Sequence, residues 1–187
     1  GWVENVEISA FCVAQWLLSF APSLIPAGIA LIVRLMSTGE RVARGDHVQV
    51  IHFDVPRHAE NEIAVPADRA VEALDILRRQ VRERGLAVGH LVEIRFVKAD
   101  RLMMSNSYAR DTCQITLMMA YRDFDAVIEP YFAAYESELR DRMQARPHWG
   151  KHFYADDKQL RAVLPKYDDF VRIRDRLDPG RVFSNDF

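Results

Sequence analysis

Six consecutive residues, Arg146-Pro147-His148-Trp149-Gly150-Lys151, place a guanidinium, an imidazole, an indole and an ammonium around a Pro and a Gly. A lysine can supply positive charge beside a developing anion, and a histidine can accept or hand over a proton. Pro147 and Gly150 suit a rigid turn that aims such groups, not a helix interior. The run also fits a basic surface turn around a buried Trp149, so its meaning depends on what shares its neighbourhood. A second polar pair lies upstream. Leu91–Val97 reads as a strand, with Glu93 and Arg95 side by side on one face and Val92, Ile94 and Phe96 directed the other way, into the core. On residue types alone, Glu93 and Arg95 are either a surface ion pair or a carboxylate and guanidinium turned toward a ligand.

The elements around these groups follow from periodicity. Residues 47–55 and 60–65 read as strands, each closed by a proline, Pro56 and Pro66. A helix is predicted from about Asp68, with Ala70, Leu74, Leu77 and Val81 as its apolar stripe and Gly85 just past its end. Arg78, Arg79, Arg82 and Arg84 on its outer side read as a solvated face. A further strand is predicted over 113–121, then a helix over 125–144 that buries Ile128, Phe132, Tyr135, Leu139 and Met143. Pro130 is tolerable only near the start of that helix. Two short helices, 156–163 and Tyr167–Leu177, close the chain. Strands paired around a helix, with more helices after them, predict an α+β fold: an antiparallel sheet covered by helices. The division expected is an apolar helical lead-in with a polar loop over 1–45, and one domain over 46–187.

Composition narrows the function. The 187 residues are 49% apolar and 28% charged, with a net charge of −2. That balance excludes bulk electrostatic capture of nucleic acid. Cys12 and Cys113 have no metal or redox spacing and read as reduced thiols. His47, His52, His58, His90 and His152 show no ligand spacing, so no metal is expected. Residues 8–33 carry no charge, enough on length alone to span a bilayer. Pro22, Pro26 and Gly28 divide that run into shorter pieces, which also fit two buried helices about a turn or a hairpin facing a membrane. The location is therefore cytoplasmic or membrane-associated, with peripheral membrane contact through 8–33 as one expectation. No GxGxxG or GxxxxGK[ST] loop for nucleotide phosphates is visible.

Five stretches stand in one order: Glu60-Asn61-Glu62-Ile63-Ala64-Val65-Pro66, Val92 to Val97, Ser105 to Thr112, the Arg146–Lys151 run, and Leu177-Asp178-Pro179-Gly180 through Asp186. From about Val50 to Phe187 the chain resembles the C-terminal domain of the aldonolactone oxidases, and it is similar to the alditol oxidases. Both groups belong to the flavoprotein family named after vanillyl-alcohol oxidase. The resemblance implies a substrate (cap) domain, with FAD held mainly by a domain outside this chain, in cis or in trans. The implied substrate is a sugar lactone or sugar alcohol whose CH–OH carbon gives a hydride to flavin N5; the electron acceptor is left open. The resemblance assigns Arg95 to the substrate oxyanion, and Lys151 to the substrate oxygen or the flavin edge. It assigns Glu93 to orienting Arg95 and binding substrate hydroxyls. His148 is a candidate for substrate or cofactor contact, and for general base alongside Glu93 and Lys151. Met118 lies about where some alditol oxidases place a substrate-contacting Thr. Asn106 stands where the family often has Pro, and Asn61 and Ile63 where it has Met and an aromatic. The competing expectation is a non-catalytic binding module derived from the same domain, with or without a membrane contact.

Overall fold

The computed structural model describes Val13, Leu17 and residues 20–35, 58–86, 91–120 and 124–184. The strand expected over 47–55 and the thiol of Cys12 lie outside these residues. The lead-in is helical on both sides of a proline-marked turn. Val13 and Leu17 are helical, Pro22–Leu24 forms a 3-10 turn, and α1 runs Ile25–Leu35. Pro26 falls in the first turn of α1, where its missing N–H costs nothing. At ~1.5 Å per residue the 11 residues of α1 fall well short of a bilayer core. Among the described residues no helix is long and apolar enough to cross a membrane.

The rest is a mixed α+β unit. Strand β1 (His58–Pro66) leads through a 3-10 turn into α2 (Ala70–Glu83), and β2 (Leu91–Val97) and β3 (Thr112–Ala120) follow. Then come α3 (Glu129–Met143), the two-residue β4 (Arg146–Pro147), α4 (Asp157–Val163) and α5 (Tyr167–Leu177). The four described strands form one antiparallel sheet in the order β2-β3-β1-β4. Its register is set by alternation. Ala59, Ile63 and Val65 of β1 and Cys113, Ile115, Leu117 and Met119 of β3 are buried on one face. Both strands therefore commit that face to a core, since a one-residue slip would turn every one of these side chains to the opposite side.

Two helices cover that face. The predicted stripe of α3 is buried throughout: Ile128, Phe132, Tyr135, Leu139 and Met143. Pro130 sits at its first turn, after a single π-helical turn from Phe124 to Ile128. Helix α2 adds Ala70, Ala73, Ile76 and Leu77, with Leu74 and Val81 packed at the margin. Each large aliphatic or aromatic side chain buried this way contributes about 1.5–3 kcal/mol. Gly85 ends α2 with φ +61°, and the amides of Gly85 and Leu86 donate to the carbonyls of Arg82 and Val81. That paired closure needs a left-handed residue, which glycine adopts without strain. Arg79 departs from the solvated face expected of it. It pairs with Glu138 of α3, which also accepts from Gln80, and so ties the two helices together.

Strand β2 corrects one expectation. Val92, Ile94 and Phe96 share the helix-side face, yet they are 37%, 43% and 70% exposed. Strand β2 is at one end of the described sheet, and α2 and α3 pack over β1 and β3. Alternation sets which way these side chains point; it does not supply the helix that would cover them.

Candidate functional site

The opposite face of the sheet carries the polar residues. Because side chains alternate, Glu60 and Glu62 of β1 project away from the core, as do Gln114 and Thr116 of β3 and Glu93 and Arg95 of β2. The register aligns them: Glu62 lies across from Thr116, Thr116 from Glu93, and Gln114 from Arg95. These six residues floor an open cavity of about 410 Å³, walled by Met104, Ser105, Asn106, His148, Trp149 and Lys151. Glu93, Arg95, His148 and Lys151, all expected at a site, thus meet in one place from segments far apart in sequence. Met118 does not join them. It shares their face, across from Glu60 and Leu91, but is not among the residues lining the cavity.

The turn from Pro147 to Lys151 is held onto β1 by the backbone. Ile63 pairs with Pro147, the His148 amide donates to the Glu62 carbonyl, and the His152 amide donates to the Glu60 carbonyl. The Lys151 amide closes the turn on the His148 carbonyl at 3.0 Å. The Lys151 ammonium then meets the Glu60 carboxylate inside the cavity. Behind the turn, Asn61 points into the core and donates to the His152 carbonyl at 2.9 Å. Glu136 of α3 accepts from the Tyr154 amide at 3.0 Å and from Arg140. A buried polar cluster therefore fixes the segment that delivers Lys151.

Arg146, the first residue of the motif, is structural. Its buried guanidinium donates to the carbonyls of Val163, Asn106 and Tyr108 at 2.8, 3.0 and 2.8 Å. It thereby pins the 105–108 wall of the cavity to β4 and to the end of α4. Burial, with the Arg146 charge close by, pushes the neighbouring Arg110 guanidinium down to about 10. Arg146→Lys loses the planar fork that serves three acceptors. It is expected to cost about 2 kcal/mol in a urea titration, the scale of one lost charge-assisted hydrogen bond. An unchanged midpoint would contradict the clamp.

Local geometry sorts the expected proton acceptors. The Gly150 amide donates to His148 Nδ1 at 3.0 Å, so a neutral imidazole carries its proton on Nε2. In that tautomer His148 offers a donor at Nε2. Lys151 is paired with Glu60. Glu93 is a half-exposed carboxylate whose Oε1 is 3.7 Å from Arg95 Nε. Trp149 is 61% exposed at the cavity rim, so it is not the buried packing residue expected.

Glu60 and Glu62 were the residues missed. Each holds a cation: Glu60 the Lys151 ammonium and Glu62 the Arg95 guanidinium, the latter at 2.8 Å. Their sequence signal was two carboxylates spaced i, i+2 in a strand whose other face is apolar, a pattern shared by any half-solvated strand. Among the lining residues three carboxylates face two cations, and the remainder are hydroxyls, amides, a thioether, an indole and an imidazole.

The whole chain, residues 1–187, matches the family described as D-arabinono-1,4-lactone oxidase. It is similar to an L-gulono-1,4-lactone dehydrogenase of Mycobacterium tuberculosis, 38% identical over 89% of this chain and 38% of that protein. It is also similar to an L-gulonolactone oxidase of Scyliorhinus torazame, 31% identical over 100% of this chain and 43% of that one. An alditol oxidase of a Streptomyces species is 34% identical over 68% of this chain and 30% of its own length. The chain therefore spans about two fifths of the length of the first two relatives.

Proposed function

The chain belongs to the D-arabinono-1,4-lactone oxidase family, and from that premise we propose that its cavity holds a sugar lactone or sugar alcohol while a CH–OH carbon of that substrate is oxidised. The observation that carries this reading is the convergence of Arg95, Glu93 and Lys151 on one polar cavity from a strand and a distant turn. Oxidising CH–OH removes a hydride from carbon and a proton from oxygen, so negative charge develops on that oxygen. Fixed cationic donors aimed there lower the barrier more than mobile water does. Arg95 and Lys151 are those donors, and Glu93 takes the hydroxyl proton. His148 presents its Nε2–H to a substrate oxygen. Gln114, Thr116, Ser105 and Asn106 supply amides and hydroxyls for the other oxygens of a sugar. With one carboxylate in excess, the cavity favours a neutral sugar over an anionic one.

FAD, when bound, supplies the hydride acceptor. The donors at the cavity rim, Lys151 and His148, fit the electron-rich edge of a flavin ring. None of the lining residues belongs to a helix, so no helix N-terminus of the described residues meets the cavity to take a pyrophosphate. On the proposed reading, residues 46–187 act as the substrate domain, and a second domain, in cis or in trans, holds most of the cofactor.

Titration calorimetry of the chain with L-gulono-1,4-lactone and with xylitol tests the reading. One of the two should bind, and Arg95→Ala should weaken it by about tenfold, the scale of one charge-assisted hydrogen bond. Silence from both sugars at millimolar concentration would contradict it.

A further inference from the structure

We propose that Glu62 is a positioning residue that aims Arg95 into the cavity; the inference rests on the function proposed above. The Glu62 side chain is 3% exposed, whereas that of Arg95 is 46% exposed and springs from β2, an end strand of the described sheet. An arginine so placed ordinarily samples many rotamers, and ordering it costs conformational entropy. Here one terminal nitrogen is captured. Arg95 Nη2 donates to Glu62 Oε2 at 2.8 Å and to Thr116 Oγ1 at 3.3 Å. The Thr116 hydroxyl donates in turn to the same Glu62 oxygen at 3.1 Å. Three strands thereby close a triangle around Nη2: β1 gives the carboxylate, β3 the hydroxyl and β2 the guanidinium.

The guanidinium is planar, so fixing Nη2 fixes the direction of the other edge. Nη1 has no hydrogen-bond partner among the described residues and is left for a ligand. Glu93, to which the orienting role was first given, is 3.7 Å from Arg95 Nε and 47% exposed, too distant to anchor it. Lys151 is engaged by Glu60, so Arg95 is the cation available to Glu62 among the lining residues. A buried carboxylate without its cation is strongly disfavoured, and that penalty holds the pair together.

Glu62→Gln keeps the shape and weakens the acceptor, and Glu62→Ala removes it. Thermal melts identify which variants fold. The first readout is nitrogen NMR of Arg95 in this chain: hindered rotation about Nε–Cζ resolves its two Nη signals. Rotation is expected to speed up in Glu62→Gln, and further in Glu62→Ala. The second is kinetic, in the flavin-loaded enzyme. Glu62→Ala should lower kcat by about 10²-fold, the scale of a misplaced catalytic group, with KM changed less than about threefold. Adding it to Arg95→Ala should cost nothing further. Unchanged Arg95 rotation in a folded Glu62→Gln protein, or multiplying losses in the double variant, would overturn the proposal. If rotation depends on Glu62 while wild-type protein ignores every lactone and polyol, the function reading fails and the geometric one stands.

Discussion

Lys151→Met in the flavin-loaded enzyme is expected to lower kcat by about 10²–10³-fold, the range for losing one preorganised donor to a developing oxyanion. Methionine keeps much of the apolar stem and removes the charge. The loss has two parts. One is the missing ammonium. The other is Glu60, which loses its partner and leaves an uncompensated negative charge beside the oxygen that must become negative. Three carboxylates, Glu60, Glu62 and Glu93, would then line the cavity with Arg95 alone opposing them. Lys151→Met combined with Glu60→Gln should accordingly recover part of the lost rate, a sign reversal that a simple loss of packing does not produce. Steady-state kinetics with a lactone and a polyol measure both variants. Turnover of Lys151→Met within about threefold of wild type would remove Lys151 from the chemistry.

The largest effect on stability is expected at Glu136. Its side chain is 1% exposed, and it gathers the Tyr154 amide, Asn61 and Arg140, the last 9% exposed. Glu136→Ala strands the Arg140 guanidinium and an amide in the interior and should cost about 3–5 kcal/mol. Because Asn61 and Tyr154 hold the segment that follows Lys151, the same change should also weaken ligand binding at the cavity. Burial drives the Glu136 carboxyl above its ordinary 4.5, and its hydrogen bonds and Arg140 only partly oppose that. A carboxyl whose folded value is raised binds more protons folded than unfolded, so its contribution falls as pH rises. That contribution is fully present below about 4.5 and is lost as pH climbs through the raised folded value. The stability of Glu136→Gln relative to wild type should therefore increase from acid to neutral pH. Denaturant melts at several pH values check this, and a flat or falling difference would contradict the assignment.

Much of this was legible locally. The stripes of α2 and α3 could be read because helix periodicity and burial coincide over four turns. Gly85 marked the end of α2 because the left-handed closure leaves few alternatives. Glu93, Arg95 and Lys151 were found together through resemblance, not through spacing. What local sequence could not convey was pairing. Arg95 finds Glu62 across 33 residues, and Lys151 finds Glu60 across 91, through sheet register and a turn. The 60–66 stretch carried part of the resemblance, but alternation alone does not distinguish Glu60 and Glu62 from a solvated strand face. Phe96 misled for the same reason, since alternation orients a side chain without saying what lies above it. A turn around a buried Trp149 was one reading of the run, yet the Pro147–Lys151 turn carries it to the rim. Met118 was placed by resemblance; it shares the polar face of the sheet without lining the cavity.

The most direct test is anaerobic mixing of the flavin-loaded enzyme with L-gulono-1,4-lactone, followed by flavin absorbance. The account predicts bleaching in wild type, and bleaching slowed about 10²-fold or more in Arg95→Ala without loss of flavin. A flavin that stays oxidised with neutral lactones and polyols alike, or one that Arg95→Ala reduces as fast as wild type, would contradict it.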